Sequence, residues 1–243
     1  MEIKKICIFS DVHGNYIALK ELAKTADYKT ANLRICLGDL VFMGPEPNKC
    51  VEFIKRRKII CLQGNHDEYM GSMQKNGGRR FGRPYIHKHQ EYMVDNIKEK
   101  NKEYMDNLPK EYELNIAGKR LVFTHYAWKD ETHILGHEVN LEKGLANVEA
   151  DYIFHGHDHK PGHKVCRNKK EIINVGSVGL KYPAHYMMIE IENGKINKTQ
   201  KTLEYGYERI ERAFLKKKYP GNDFYLKYFY QDYTPDYYRT DTY

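Results

Sequence analysis

Long apolar runs are missing from this 243-residue chain: no stretch approaches the ~20 residues that cross a bilayer, so no membrane-spanning helix is expected. The opening Met-Glu-Ile-Lys-Lys leads straight into a strand pattern. It has neither the apolar core nor the small-residue cleavage site of a signal peptide. Cysteine is scarce. Five residues with no CxxC pair argue against a disulfide framework and a zinc knuckle. Cys7, Cys36 and Cys61 sit in apolar runs, where a thiol behaves as a small hydrophobe. These absences give the expectation of a cytoplasmic, soluble protein. Acidic residues are absent from Gln74 to Gln90, which carries Lys75, Arg79, Arg80, Arg83 and Lys88. By composition such a run reads first as a solvated basic loop. The net charge of +7 points to anionic partners without naming one. Hydrophobic content of 41% is enough for a packed core, in one large domain or a domain with an appendage.

What is present is a set of polar clusters that follow short apolar runs. Ile6-Cys7-Ile8-Phe9 reads as a buried strand and ends in Asp11-Val12-His13-Gly14-Asn15. Polar groups just past such a strand sit where open α/β sheets place ligands. In extended chain Asp11 and His13 would face one side and could chelate one cation. Taken alone, the motif reads as turn and capping chemistry. The pattern returns. Leu33–Leu37 reads as a second strand ending in Gly38-Asp39, and Ile59–Leu62 as a third ending in Gly64-Asn65-His66-Asp67. Between them, apolar spacing predicts a helix over about 15–27, and Pro47 starts another through about Arg57. Alternating strands and helices with short links imply right-handed crossovers and a parallel core sheet.

Residues 70–109, broken at Gly77-Gly78 and Pro84 and helical over about 86–107, read as an insertion covering one side of the site. A hairpin at Ala117-Gly118-Lys119 then leads into Leu121-Val122-Phe123-Thr124-His125. After a short helix near 140–148, Tyr152-Ile153-Phe154 runs into His155-Gly156-His157-Asp158-His159. Strands near 163–167, 171–175, 185–191 and 195–202 are expected to complete a second, mixed sheet, with a tight turn at Asn193-Gly194.

Collected together, Asp11, His13, Asp39, Asn65, His66, His125, His157 and His159 exceed what one divalent ion requires and suit two. Imidazole with carboxylate selects manganese, iron, zinc or related ions over magnesium and calcium. A shared carboxylate is needed between two such ions, and Asp39 is the natural bridge. The series Asp11-x-His13, Gly38-Asp39, Gly64-Asn65-His66-Asp67, His125, Gly156-His157-x-His159 resembles the five-block signature of the calcineurin-like metallophosphoesterases. The resemblance spans residues 6 to about 190. It implies an α/β fold, a four-layer α/β/β/α sandwich with a two-metal site at the sheet edge. It also implies that Asp11, His13 and His159 hold one metal, that Asn65, His125 and His157 hold the other, and that Asp39 bridges. His66 would be the catalytic histidine outside the ligand set, and Asp67 the carboxylate that orients it. The implied chemistry is in-line attack of a metal-bridging hydroxide on a small phosphate ester, with His66 stabilising the phosphoryl oxygens or protonating the leaving group.

Met43 stands where many relatives carry a phosphate-gripping arginine, and Gly44-Pro45-Glu46-Pro47-Asn48 resembles the small bacterial-type phosphoesterases. That favours a phosphodiester over a monoester. Arg79 and Arg80, with Arg83, are candidates to position a second phosphate or a leaving group. Bland readings stand beside these: His125 as a buried histidine with a backbone partner, and His133, His137, His155 and His163 as structural or exposed. Asn174-Val175-Gly176-Ser177 resembles a turn near the site in related phosphodiesterases and is given no catalytic role. The chain divides into residues 1–203 and a tyrosine-rich arm, 204–243, with 10 of the 21 tyrosines and a helix expected over 207–218. The arm reads as a packing surface, for its own domain or for a homo-oligomer. Two competing functions are a non-catalytic scaffold on the same fold and a nuclease. The arm's lack of net charge weighs against nucleic acid.

Overall fold

The first strand of the chain is central to the molecule. The computed structural model describes residues 3–75, 84–126, 128–129, 132–133, 145, 148–180, 183–218 and 220–230. In it β1 (Lys5–Phe9) buries Ile6, Cys7, Ile8 and Phe9 completely, as a strand covered on both faces must. β2 (Leu33–Cys36) and β3 (Ile60–Cys61) pair beside it in parallel. The crossovers are α1 (Tyr16–Leu22) with α2 (Ala26–Thr30), and then α3 (Pro47–Arg57). The single helix expected over 15–27 is therefore two. The Thr25 hydroxyl accepts the Tyr28 N–H at 3.1 Å and starts a new helix, because a local hydroxyl competes with continuation of the ladder.

The other neighbour of β1 corrects the expected sheet assignment. β11 (Ala184–Glu192) runs antiparallel to β1 and carries β12 (Lys195–Leu203), so the first sheet has the order β12-β11-β1-β2-β3. The hairpin forms as expected at Asn193-Gly194, with φ of 50° and 74°. Which sheet receives it is a non-local matter. β11 is apolar on both faces: Tyr186 and Met188 pack towards the helices, Met187 and Ile189 towards the second sheet. A place beside β1 buries both.

The second sheet has the order β4-β5-β8-β10-β9. β5 (Lys119–Thr124), β8 (Tyr152–His155) and β10 (Glu171–Val175) are parallel, flanked antiparallel by β4 (Glu111–Ile116) and β9 (Pro161–Val165). A short ribbon of β6 (Trp128–Lys129) and β7 (Thr132–His133) follows β5. The two five-stranded sheets face each other through Ile6, Ile8, Ile35 and Leu62 on one side and Phe123, Phe154 and Ile173 on the other. Helices cover the outer face of the first sheet, and Leu145, Val148 and Ala150 pack on the outer face of the second. The fold is the expected α/β/β/α sandwich. The helix expected near 140–148 falls mostly outside the described residues, as do Arg79, Arg80, Arg83 and His137.

After β3 come α4 (Asn65–Lys75), α5 (Pro84–Asn96) and α6 (Glu99–Asp106). The expected helix over 86–107 breaks at Lys98, which is extended. α7 (Tyr207–Lys217) confirms the helix expected in the arm. Beyond it a helical turn at Asn222–Tyr225 runs into a π-helical turn at Leu226–Tyr230. Tyr225, Leu226, Phe229 and Tyr230 join the helix-side core, and tertiary packing can support a short helix that propensity cannot. Among the described residues no helix is long and apolar enough to cross a membrane.

Candidate metal centre

Parallel strands end on the same edge of their sheet, and here β1, β2, β3, β5 and β8 each release a polar residue there. Asp11 follows β1, Asp39 follows β2, and Asn65 and His66 follow β3. His125 follows β5, and His157 and His159 follow β8. The chain is not extended at these positions. Asp11, His13, Asp39, His157 and His159 have φ of 53°, 45°, 55°, 76° and 59°. Non-glycine residues rarely adopt that region, and each instance costs on the order of 1–3 kcal/mol unless its surroundings hold it. Strain of this kind collects at functional sites. It also corrects the expectation that extended geometry would align Asp11 with His13; left-handed backbone at both positions does so instead.

Two overlapping groups result. Ligand atoms of Asp11, His13, Asp39 and His159 lie within 4.8 Å of one another, and so do those of Asp39, His125 and His157. In the first, His13 Nε2 is 3.1 Å from His159 Nε2 and 3.6 Å from Asp39 Oδ2. His159 Nε2 is 3.4 Å from Asp11 Oδ1. In the second, His125 Nε2 is 3.3 Å from Asp39 Oδ2 and 3.1 Å from Asn65 Oδ1, which lies 2.8 Å from His157 Nδ1. Ligands about 2.1 Å from one ion stand roughly 3.0–3.4 Å apart, the spacing seen here. Asp39 Oδ2, shared by both groups, is buried and faces imidazole nitrogens, His125 Nε2 at 3.3 Å and His13 Nε2 at 3.6 Å. A buried carboxylate is costly unless positive charge stands beside it, and a divalent cation held among these nitrogens would supply that charge. The residues therefore fit divalent metal.

Protonation agrees. His13 Nδ1 lies 3.2 Å from the Val41 carbonyl, and His125 Nδ1 2.9 Å from that of Leu37. A carbonyl only accepts, so Nδ1 donates in each and Nε2 faces the cluster, the arrangement of a metal-bound histidine. Burial, opposed by the Asp39 charge, holds His13 well below its ordinary range and His157 down to about 2. Both are neutral, as ligands must be. Burial alone would raise Asp39, but the positive charge of His125 beside it keeps it ionised. Burial likewise pushes Asp11 up to about 7. His125 rises to about 9: burial opposes the shift and the Asp39 carboxylate outweighs it. A proton on His125 and a divalent cation compete for the same position.

His66 stands beside the cluster, its ring centroid 5.1 Å from that of His13 and 5.2 Å from that of Phe42. Asp67 departs from the orienting role the resemblance implies. Its carboxylate accepts the backbone N–H of Asp39 at 2.8 Å, of Gly64 at 3.1 Å and of Leu40 at 2.9 Å. At the third position of α4 a side chain points back over the helix start, so Asp67 holds the backbone of Asp39, not the His66 ring. Gly156, Ser177 and Gly179, to which the motif reasoning gives no role, support the site. A Cβ on Gly156 would stand 2.6 Å from Asp11 Oδ2, and one on Gly179 2.7 Å from the Asp11 carbonyl. Ser177 Oγ donates to that carbonyl at 2.8 Å. The available signal for Ser177 is the turn at Asn174–Ser177, to which the sequence reading gives no catalytic role. A cavity of about 440 Å³ beside Tyr16, Lys49, Phe53 and Arg56 shares no residue with the cluster; chemistry, not cavity size, locates the site.

Facing sheets with a carboxylate–imidazole cluster at the strand ends define an α/β sandwich built to bind metal. The chain belongs to the calcineurin-like phosphoesterase superfamily, whose domain model matches residues 5–194. It is 28% identical over 236 residues to Uncharacterized protein MJ0912 of Methanocaldococcus jannaschii, covering 88% of this chain and 93% of that protein. Its structure is similar to that of a metallophosphoesterase from Sphaerobacter thermophilus, with TM-score 0.69, 20% identity and coverage of 91% of this chain and 97% of that one. It is similar also to hypothetical protein PH1004 from Pyrococcus horikoshii, with TM-score 0.74, 16% identity and coverage of 89% and 94%. At such identities the likeness to solved structures shows the fold.

Proposed function

We propose that this chain is a dinuclear metal-dependent phosphoesterase that prefers phosphodiesters to monoesters. Asp11, His13 and His159 hold one ion, Asn65, His125 and His157 the other, and Asp39 both. The observation that carries this reading is the buried Asp39 carboxylate, shared by two groups of imidazole nitrogens. Two manganese, iron or zinc ions, when bound, supply hydroxide from water near neutral pH and positive charge for phosphoryl oxygens. The chain's own residues do the rest. Asp39 sets the spacing of the two groups. Asp67 and Gly64 hold Asp39 in place. His66, close to the cluster and outside its ligand set, gives an N–H hydrogen bond to a phosphoryl oxygen or, once protonated, a proton to the leaving group. Burial favours neutral His66, which still donates.

Met43 in place of an arginine supports the diester preference, because a diester brings one negative charge where a monoester brings close to two. Arg79 and Arg80 are proposed to bind a second phosphate; unchanged kcat/KM on every substrate in an Arg79→Ala/Arg80→Ala variant would remove that role. The main test is hydrolysis of bis-p-nitrophenyl phosphate beside p-nitrophenyl phosphate by metal-stripped protein with manganese restored. Turnover that returns with manganese and is faster on the diester is expected. Preference for the monoester overturns the substrate class. No turnover on either, with two ions bound, overturns the enzyme.

A further inference from the structure

Phe42 and Met43, just past the proposed bridging residue, are consecutive non-glycine residues with φ of 66° and 58°. Nothing in their side chains favours that conformation, so something outside the loop holds it. Both polar groups of Met43 are held, each by a different distant segment. Its N–H donates to His89 Nε2 at 3.1 Å, from α5 in the insertion. Its carbonyl accepts from Tyr230 Oη at 3.3 Å, from the π-helical turn of the C-terminal arm. The two holders are themselves joined: the His89 ring lies 4.3 Å from that of Tyr225. His89 is 2% exposed and Tyr230 0%. Gly44 fits tightly beside them, since a Cβ there would come 2.8 Å from Tyr230 Oη.

The held loop meets the chemistry through Phe42. Its ring is 5.2 Å from His66 and 5.8 Å from His89, and the Asp67 carboxylate is taken up by backbone N–H groups. Packing against Phe42, with the His13 ring at 5.1 Å on another side, constrains the orientation of that imidazole. We infer that His89 and Tyr230 are positioning residues: together they clamp the Met43 peptide, hold Phe42–Met43 in the left-handed conformation, and so aim His66 at the metal-bound substrate. The insertion and the arm thus take part in the active site without touching substrate. The inference rests on the catalytic role proposed for His66.

The test uses the full-length protein with manganese restored. Tyr230→Phe removes one hydroxyl and keeps the ring. His89→Leu removes the acceptor, and His89→Gln keeps an acceptor near the position of Nε2. Loss of one clamp bond is expected to lower kcat on the diester about tenfold in Tyr230→Phe and His89→Leu. KM and bound manganese should stay within about twofold, and His89→Gln should regain most of kcat. Amide exchange at Met43, which needs no substrate, should accelerate about tenfold in His89→Leu and return in His89→Gln. A purely structural role would lower the melting temperature and leave kcat per folded molecule unchanged. Wild-type kcat in Tyr230→Phe, or a loss that His89→Gln fails to rescue, overturns the clamp. Should the wild-type protein hydrolyse neither ester, the proposed function fails; Met43 exchange then still decides whether the clamp exists.

Discussion

A methyl group on Gly64 would collide with the proposed bridging carboxylate. Its Cβ would stand 2.8 Å from Asp39 Cγ and closer still to Asp39 Oδ1 and the Asp39 backbone nitrogen. Gly64 does not use positive φ, so the effect of Gly64→Ala comes from that collision alone. Relief needs a displacement on the order of 1 Å, whereas metal–ligand distances tolerate roughly 0.2 Å. Manganese affinity should therefore fall about 10–100-fold, the range seen when support behind a ligand is lost. The overpacking itself costs about 1–3 kcal/mol, lowering the melting temperature by roughly 2–12 °C for a chain of this size. Gly118→Ala is the control. Gly118 has φ of 69°, and a methyl group there would meet nothing within 4 Å, so it should lose about 1 kcal/mol to backbone strain and keep its manganese affinity. Calorimetric titration of manganese into stripped protein, with thermal melts of each variant, reads both quantities. Wild-type manganese affinity in Gly64→Ala would refute the reasoning that this close approach maintains the bridge.

Asp39→Asn should abolish turnover while the protein stays folded; full activity would contradict the bridging role. Manganese at about a hundred times its dissociation constant should stabilise the wild-type protein by about 2.7 kcal/mol. That raises the melting temperature by roughly 5–11 °C over a chelator-treated sample, and no rise would mean that manganese does not bind the folded state at that level. A third prediction concerns acid stability. Burial, with a smaller effect of His66, holds His89 down at about 3 from 6.5. Between those values the unfolded chain binds a proton that the folded one refuses. Stability is thus complete above about pH 6.5 and is lost as pH falls towards 3, by about 2 kcal/mol at pH 5. His89→Gln lacks this group, so its urea midpoint should fall less between about pH 6.5 and pH 5; equal slopes would show that His89 is not buried neutral.

Much of the site was legible because its parts are local. A short apolar run followed by Gly-Asp or Gly-Asn-His specifies both a buried strand and the polar group at its end, and parallel strands bring such ends to one edge. Asp11, His13, Asp39, Asn65, His125, His157 and His159 could be found from residue type and spacing, and the structure brings them together. Tertiary structure decided what no single segment contains. The hairpin at Asn193-Gly194 was visible, but its place beside β1 depends on burying both faces of β11. The role of Asp67 depends on backbone N–H groups delivered by the loop after β2. The turn at Asn222–Tyr225 exists because a core formed by distant helices accepts its aromatic side chains. Left-handed backbone at the ligand positions is held by close approaches at Gly64, Gly156 and Gly179. Residue chemistry is a property of the sequence; the free energy that orders strands and sustains strain comes from contacts between segments far apart in the chain, and only the folded structure settles which of them are made.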